Sequence, residues 1–413
     1  MLRRRFDGKP LGFSRPRVSE AFTPPGARSP LRNRWTLGSD GVSCGFVQRS
    51  QAWAMSPDEL RAAGVRASAS GVFTELQRPW RWGHERPNLP VRIWDELVAL
   101  GIAVPEIEQA QASSDGSTKL RLRFPPSDRA RHSLRRPAAA LPLAPVDQQA
   151  EAVHMPRAVG TGRVTLCVSS QIGCALGCTF CATGALGLRR QLSAGEIVAQ
   201  VLVVLRALGP RHPGELTLVF MGMGEPLHNL AQVARAIRIL ALPPGLGLSP
   251  RRITVSTAGL VPQIDELSRL AERPLLAVSL NATTDELRSE LMPINRRYPL
   301  AELRAALERY PCRPRERITV EYVLLAGVND SAGDAQRLAD FCAGFPHHIN
   351  LIPFNAHAHA PFSAPSEANI DAFARTLLAW RPCVLSVRRS RGRDVQGACG
   401  QLVAASAPEG LSR

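Results

Sequence analysis

Apolar and polar positions follow two different rhythms along the second half of the chain. Beyond residue 160, short apolar runs alternate with segments in which apolar residues recur at helical spacing. Runs of the first kind are typical of buried strands, and segments of the second kind are typical of amphipathic helices. The predicted strands are 163–170, 215–221, 252–256, 275–280, 318–325, 349–354 and 383–389. The predicted helices are 193–208, 229–241, 261–271, 300–310, 334–345 and 369–380.

This alternation of strand and helix predicts an α/β fold with a parallel sheet and right-handed crossovers. Six such units suffice for a partial (βα)6 barrel, and we expect that fold. In parallel barrels and open sheets, ligands bind in the loops at the C-terminal ends of the strands. Functional residues are therefore expected directly after each predicted strand.

The first 160 residues lack this rhythm and divide by composition. The start is rich in Arg, Pro, Gly and Ser and is predicted to be disordered. Met55 opens a segment in which Ser56 and Glu59 have the spacing of a helix capping box. Further on, Asp115-Gly116 predicts a hairpin turn. The predicted organisation is a disordered extension at 1–54, a small N-terminal helical domain at 55–112, a β segment and linker at 113–159, the barrel at 160–403 and a tail at 404–413.

The hydrophobic fraction of 45% suits a globular protein. No apolar run approaches the roughly 20 residues that cross a bilayer, and the basic N-terminus lacks the apolar stretch of a secretory signal. We therefore expect a cytoplasmic protein without a membrane partner.

The formal net charge of the chain is +16. Lys9 and Lys119 are the only lysines, so nearly every cation is an arginine. Genomic base composition can explain arginine in place of lysine, but it does not explain the excess of cations over acids. Such an excess favours a polyanionic partner such as nucleic acid, because each phosphate contact releases condensed counterions.

Three of the nine cysteines form a C-x-x-x-C-x-x-C motif after the first barrel strand: Cys174, Cys178 and Cys181. Three soft thiolates suit three irons of a [4Fe-4S] cluster and leave the fourth iron open to a substrate. A structural zinc site would need a fourth ligand, usually from a second C-x-x-C pair, and the sequence has none. We expect the iron–sulfur cluster, with zinc as the alternative. The isolated cysteines, predicted to be buried and inert, are Cys44, Cys312, Cys342 and Cys383.

The motif CALGCTFC, placed after the first strand, resembles that of the radical S-adenosylmethionine (SAM) superfamily. The resemblance implies that SAM chelates the open iron and is split to a 5′-deoxyadenosyl radical, with electrons from a donor such as flavodoxin or ferredoxin. Later strand ends carry GMGEP, VSTAG, SLN and PFN. The SAM contacts implied by the resemblance are Gly224, Glu225, Ser256, Ser279, Leu280, Asn281 and Asn355. Asn281 departs from the pattern, since many relatives have His there.

Two further cysteines narrow the resemblance. Cys167 in TLCVSSQIGC and Cys399 in GACGQL, together with VFMGMGEPLHN, make residues 113–403 similar to the RlmN/Cfr-type dual-specificity RNA methyltransferases. Residues 55–112 weakly resemble the small RNA-contacting domain of that family. The resemblance implies methylation of an adenosine in 23S rRNA, and in some members of tRNA. The segment ATGALGLRRQLSAGEIV resembles the branch that modifies carbon 2 of adenine, and we expect a monomer.

The resemblance also implies a covalent mechanism that consumes two SAM molecules per turnover. The first methylates the thiolate of Cys399. The second yields the radical that takes a hydrogen from the S-methyl group, and the resulting methylene adds to the ring carbon. Glu151, in EAVHMP, is the implied proton acceptor. Cys167 is the implied thiol that resolves the protein–RNA link through a transient disulfide with Cys399.

Three alternatives remain on the sequence alone. The target could be carbon 8 of the adenine, or the substrate could be another RNA, since Asn281 and the N-terminal residues match the family poorly. A non-enzymatic Fe–S or zinc protein that binds RNA is the third, although it would have no need of Cys399 and Cys167. Arginines near Cys399 and in the linker are expected to contact RNA phosphates. They are Arg388, Arg389, Arg391, Arg393, Arg129, Arg131, Arg135 and Arg136.

Overall fold

The computed structural model describes residues 51–65, 68–79, 87–100, 102, 104–124, 148–157, 163–209, 213–243 and 245–402. These residues lie in one compact unit. Most of the predicted extension at 1–54, the linker residues 125–147 and the tail at 404–413 lie outside the described residues. Residues 51–54 form one turn of 3-10 helix in which Trp53 is fully buried. The folded part therefore begins before the predicted boundary at Met55.

Three short helices open the described chain: α1 (Pro57–Ala62), α2 (Ala69–Leu76) and α3 (Val91–Ala99). The predicted capping box is present, because Ser56 N donates to Glu59 Oε2 at 2.7 Å and Glu59 N donates to Ser56 Oγ at 3.3 Å. Leu60, Phe73 and Leu97 are buried in the same hydrophobic core as the barrel residues. A role of residues 55–112 in RNA contact stays a prediction.

Twelve strands occur in the described residues: β1 (Glu106–Ala112), β2 (Thr118–Arg123), β3 (Gln149–Pro156), β4 (Val164–Cys167), β5 (Gln171–Gly173), β6 (Leu188–Gln191), β7 (Leu216–Phe220), β8 (Ile253–Thr257), β9 (Leu275–Ser279), β10 (Ile318–Leu324), β11 (His347–Pro353) and β12 (Leu385–Val387). Ten of them form one sheet in the order β1-β2-β3-β4-β7-β8-β9-β10-β11-β12, and β5 pairs with β6. The sheet is antiparallel from β1 to β4 and parallel from β4 to β12.

The remaining helices are α4 (Ala182–Ala185), α5 (Ala194–Leu208), α6 (Leu230–Ala241), α7 (Val261–Ser268), α8 (Asp285–Leu291), α9 (Leu300–Glu308), α10 (Ala332–Cys342) and α11 (Glu367–Trp380). Every predicted barrel strand and helix is present, and at least one helix separates each pair of successive strands in the parallel part of the sheet, from β4 to β12. Residues 194–205 of α5 are buried on all sides, as its continuous apolar sequence requires. The predicted α/β partial barrel is therefore confirmed. Among the described helices, none is long and apolar enough to cross a bilayer.

The antiparallel strands β1, β2 and β3 were predicted only in outline. The sequence of β3, QAEAVHMP, has polar residues on both faces, so it carries no apolar rhythm. It is nevertheless buried, because it pairs with β2 on one side and with β4 on the other. The edge strand β1 alternates only between exposed and half-buried positions. Pairing with β2, and not apolar burial, therefore explains why it forms.

Alternate residues of the barrel strands face the interior. On β10, Thr319 lines a cavity at the N-terminal ends of the strands, Val323 lines a cavity at the C-terminal ends, and Glu321 lines both. Val320 and Tyr322, which lie between them, are buried in the main hydrophobic core. The barrel interior is therefore divided into a lower cavity, at the N-terminal ends, and an upper cavity, at the C-terminal ends.

Candidate active site

The upper cavity, with a volume of about 1010 Å³ including its mouth, lies in the region where a ligand site is expected. Most predicted site residues line it: Cys174, Cys178, Cys181, Gly224, Glu225, Ser256, Ser279, Asn281, Asn355 and Cys399. Each follows or ends a barrel strand, or belongs to the loop after the last one. Cys167, Glu151 and Leu280 lie outside this lining.

The loop with the three clustered cysteines, residues 174–181, is fixed by backbone hydrogen bonds on two sides. Cys174 N donates to Gly187 O at 3.1 Å, and Thr179 N donates to Leu291 O at 3.0 Å. Gly173, which precedes the loop, has a φ of +71°, and a Cβ there would collide with Gly187 O. Only glycine meets both conditions. The loop, called the cluster loop, therefore holds its thiols in fixed places around the upper cavity.

The cysteines of the cluster loop fit an iron–sulfur cluster better than a single zinc ion. The three cysteines are half-buried, and removal of their thiols from water raises their pKa, that of Cys174 to about 12. A bound metal supplies the positive charge that stabilises thiolates in such a place. In the described part of the chain, no three Cys, His, Asp or Glu side chains form a site for one metal ion. The irons of a cubane are separate corners, so its thiolate ligands do not have to converge on one point.

Glu225 is a buried carboxylate in the lining of the upper cavity. Its Oε1 accepts a hydrogen bond from Leu227 N at 3.0 Å, and its Oε2 accepts one from Ala258 N at 2.8 Å. Burial raises the pKa of Glu225 to about 7 despite these hydrogen bonds. Gly224 has a φ of +95°, and a Cβ there would strike the side chain of Gln171. A carboxylate held in this way is suited to bind a cationic amino group.

Arg288, which the sequence did not single out, braces the ends of β8 and β9. Its buried guanidinium donates to Ala258 O at 2.7 Å and to Leu280 O at 3.0 Å, and burial lowers its pKa to about 10. Leu280 itself packs into the main core. Asn281 has a φ of +58°, which asparagine tolerates, and its Oδ1 accepts from Val323 N at 2.9 Å. No sequence signal separates a buried arginine on α8 from a solvated one.

The loop that carries Cys399 is hydrogen-bonded to the start of α4, which directly follows the cluster loop. Ala182 N donates to Gly400 O at 2.8 Å, and Thr183 Oγ1 donates to Leu402 O at 2.7 Å. Both acceptors are backbone carbonyls, so these bonds fix the path of the chain around the cysteine. The two loops are more than 200 residues apart in sequence, and only the fold brings Cys399 to the clustered cysteines.

Cys399 also borders a small cavity that contains the second predicted catalytic cysteine. This thiol cavity is lined by Val153, Met155, Cys167, Met221, Arg388, Ser390, Arg391, Gly397, Ala398, Cys399 and Leu402. Cys167 and Cys399 are both free thiols. Burial and the neighbouring Cys399 raise the pKa of Cys167 to about 12, although Arg388 acts in the opposite direction. Burial also raises the pKa of Cys399, again opposed by Arg388.

Known proteins resemble this chain in sequence and in fold. Residues 168–339, which include the cluster loop, match the model of the Radical SAM superfamily. A "Dual-specificity RNA methyltransferase RlmN" of Syntrophobacter fumaroxidans is 56% identical over 244 residues, which cover 59% of this chain and 70% of the relative. A protein of the same name from Sorangium cellulosum is 42% identical over 371 residues, which cover 84% of this chain and 94% of the relative. The chain belongs to the RlmN family.

A solved structure agrees with this membership of the RlmN family. A radical SAM methyltransferase from Sphaerobacter thermophilus is 40% identical, superposes with a TM-score of 0.73, and is matched over 86% of this chain and 99% of its own. The predicted radical SAM barrel is confirmed. The family consists of enzymes, and this outweighs the non-enzymatic alternative. A [4Fe-4S] cluster and SAM follow from the superfamily.

Glu151, predicted as the RlmN-type proton acceptor, lies on β3 and is fully buried. Its Oε1 is 3.4 Å from the Nζ atom of Lys119, which is also buried. Glu151 shares a strand face with Val153 and Met155, two lining residues of the thiol cavity. Glu151 thus lies on the strand face that borders the thiol cavity, but outside the lining of that cavity. Lys119 was overlooked because the alternation of β2 predicts that its cations face solvent.

The predicted RNA-binding arginines lie in different environments. Arg388 lies inside the barrel, with Nη1 3.5 Å from Glu321 Oε1, and its predicted phosphate contact stays a prediction. Arg389 forms an exposed ion pair with Glu367 at 2.5 Å, and Arg391 donates to Pro156 O. The linker arginines, Arg129, Arg131, Arg135 and Arg136, lie outside the described residues.

The loop before Cys399 is also tied to the turn between β1 and β2. Asp394 accepts hydrogen bonds from Ser113 Oγ at 2.5 Å and Ser114 N at 2.9 Å. These bonds lower the pKa of Asp394 to about 2. In return, Asp115 Oδ2 accepts from Gly392 N at 2.8 Å. The turn between β1 and β2 therefore helps to position the loop that carries Cys399.

Proposed function

We propose that this protein methylates carbon 2 of an adenosine in 23S rRNA, with tRNA as a second substrate. The observation that carries the proposal is the position of Cys399, which borders both the upper cavity and the thiol cavity of Cys167. A sulfur in that position has a cofactor site on one side and a second thiol on the other. The names of the RlmN relatives and the carbon-2-like segment 182–198 support RNA as the substrate and carbon 2 as the target.

The residues of the upper cavity are suited to the cofactors of the superfamily. Cys174, Cys178 and Cys181 would hold a [4Fe-4S] cluster, while Glu225 and Gly224 would bind the amino group of SAM. When bound, these groups supply a methyl group from one SAM and a 5′-deoxyadenosyl radical from a second. The further contacts are Ser256, Ser279, Leu280, Asn281 and Asn355. We expect a flavodoxin or ferredoxin as the electron donor, and a monomer in the cytoplasm.

Three side chains outside the cofactor ligands would handle the methyl group and the protons. The thiolate of Cys399 accepts the methyl group and presents it to the adenine. Glu151 would take the proton from the ring carbon, and the unpaired electron that the radical addition leaves on the ring would pass to the cluster held by the three cysteines. The thiolate of Cys167 then attacks the sulfur of Cys399 and forms a disulfide. The electron pair of the broken carbon–sulfur bond stays on the transferred carbon, which takes up a proton and becomes the methyl group.

The thiol cavity supports this assignment of the two cysteines. Each needs its thiolate at a different moment, and burial opposes both thiolates. Burial raises the pKa of both Cys167 and Cys399. The positive charge of Arg388, in the cavity lining, acts to lower both pKa values. A cation shared between the two sulfurs is what a transfer from one thiol to the other requires.

The proposal is tested with purified protein that has been reconstituted anaerobically with iron and sulfide. It is incubated with SAM, a reductant and an unmodified 23S rRNA transcript, and the digested nucleosides are analysed by mass spectrometry. We expect 2-methyladenosine, and none from a Cys181→Ser variant. Methylation at carbon 8 would replace the carbon-2 assignment, and the absence of any methylated adenosine would overturn the function. Mass spectrometry of total RNA with and without the gene identifies the cellular substrate.

A further inference from the structure

The lower cavity is the second large space inside the barrel, with a volume of about 970 Å³ including its mouth. Its lining includes one inward-facing polar residue from each of four strands: Thr165 of β4, Thr254 of β8, Thr319 of β10 and Asn350 of β11. Further along the same faces, Ser256, Val323 and Ile352 line the upper cavity. The same strands therefore supply walls to both cavities.

Polar residues in this layer are not explained by the packing of the fold. The interior layers of parallel barrels are usually filled by Val, Ile and Leu. Here Thr254 and Thr319 are only half-buried, whereas Val255 and Val320, which face the helices, are fully buried. The lower half of the interior is thus an open polar space and not a packed core.

Positive charge dominates the lining of the lower cavity. Arg157 follows β3, and Arg388, Arg389 and Arg391 follow β12. Glu321 is the only carboxylate among the lining residues that the structure describes, and it pairs with Arg388. Arg157 Nε donates to Thr165 Oγ1 at 3.1 Å, which leaves the rest of its guanidinium for a ligand. A space of this charge suits an anion.

The lower cavity adjoins the thiol cavity. Met155, Met221, Arg388 and Arg391 belong to the lining of both. Cys399 borders the thiol cavity on one side and the upper cavity on the other. The lower cavity also adjoins the upper cavity at Met221 and Glu321, which line both. All three spaces therefore adjoin one another, and Cys399 borders two of them.

We propose that the adenine substrate reaches Cys399 through the lower cavity, and that Arg157, Arg389 and Arg391 bind phosphates of its RNA strand. The inference rests on the proposed function and adds the route and the contacts of the substrate. A SAM molecule in the upper cavity occupies that side of Cys399, so the adenine must approach the sulfur from another side. Threonine and asparagine side chains can bond the edges of an unstacked base, and guanidinium groups match phosphate oxygens.

The first test compares two double variants of equal charge. Arg157→Gln/Arg389→Gln changes the mouth of the lower cavity, and Arg238→Gln/Arg375→Gln changes exposed arginines on α6 and α11. Binding of the 23S rRNA transcript is measured over a range of salt concentrations, with S-methylation of Cys399 as a check of folding. We expect the first variant to bind about tenfold more weakly, and its salt slope to fall by about 0.7 for each lost contact. The second variant should bind with the wild-type salt slope.

The second test locates the RNA directly with phenylglyoxal, which modifies accessible arginines. RNA should protect Arg157 and Arg389 from modification, whereas SAM alone should protect neither. Protection by SAM, or equal loss of binding in both double variants, would overturn the inference. Such a result leaves the function intact as long as wild-type protein methylates the transcript. A wild-type protein that methylates no RNA refutes the function itself.

Discussion

The upper and lower cavities share strands but are built in different ways. Most of the upper cavity's lining comes from loops that follow strands, held by backbone hydrogen bonds such as that from Cys174 to Gly187. The lower cavity is lined by side chains of the strands themselves and by arginines that follow β3 and β12. Backbone-fixed loops suit a cofactor of constant shape, and long cationic side chains suit a flexible polyanion. This difference fits the proposed separation of the cofactor, in the upper cavity, from RNA, in the lower cavity.

Cys399→Ala removes the thiol that borders both the upper cavity and the thiol cavity, and its expected effect is the largest. Methyl transfer to RNA should fall below detection, because no sulfur remains to carry the methyl group. RNA affinity should stay close to that of the wild type, since the arginines of the lower cavity are unchanged. Nucleoside mass spectrometry and filter binding measure the two quantities. Cys312→Ala, outside all three cavities, is the matched control, and methyl transfer by Cys399→Ala would refute the assigned role.

Cys167→Ala should stop the reaction one step later. The methylene link between Cys399 and the adenine would form, but the thiol that cleaves it would be missing. We expect a covalent protein–RNA adduct that survives a denaturing gel, with product reduced by a large factor. The adduct must disappear in the Cys167→Ala/Cys399→Ala double variant. A Cys167→Ala enzyme that turns over normally would show that the thiol cavity does not serve resolution.

The upper cavity was predictable because its chemistry follows the strands in sequence. The cluster loop and Gly224-Glu225 each come directly after an apolar run, where a parallel barrel places its ligands. The lower cavity was not predictable, because Thr165 and Thr254 lie within runs that are typical of strands buried on both faces. Such a run does not reveal whether one of its faces meets a cavity or a packed core.

Long-range pairing explains the remaining differences. Arg388 was predicted to contact RNA because arginines surround it in sequence, but its ion-pair partner Glu321 is 67 residues away. The approach of Lys119 to Glu151 likewise depends on the antiparallel register of β2 and β3, in which Arg121 lies opposite Glu151. A single sequence does not contain that register.

Lys119→Met tests the buried ion pair between Lys119 of β2 and Glu151 of β3. The variant removes a cation 3.4 Å from a buried carboxylate, so we expect the free energy of unfolding to fall by about 3 kcal/mol. Lys119→Met/Glu151→Gln should regain most of this stability in urea unfolding, because the buried charge is gone. The double variant should nevertheless fail to release methylated RNA if Glu151 is the base. A stable double variant with wild-type turnover would show that a group other than Glu151 is the base.

Asp394→Asn should have the smallest effect, and the effect should depend on pH. Hydrogen bonds from Ser113 and Ser114 lower the pKa of the exposed Asp394 from 3.8 to about 2. A carboxyl group with a depressed pKa stabilises the fold above about pH 4, and the stabilisation is lost as the pH falls towards 2. The difference in Tm between wild type and variant should therefore shrink between pH 6 and pH 3. Asp371→Asn, on the exposed face of α11, should show no such trend.

A comparison of wild type with Asp394→Asn also distinguishes the two attachments of the loop that carries Cys399. One attachment is to the β1–β2 turn through Asp394, and the other joins Gly400 to Ala182, the first residue of α4 after the cluster loop. If the turn positions Cys399, S-methylation by SAM should slow in the variant at pH 7 while RNA affinity stays unchanged. An unchanged rate would mean that the cluster loop alone sets the position of Cys399. The catalytic sulfur would then belong structurally to the upper cavity, and the lower cavity would only deliver the base to it.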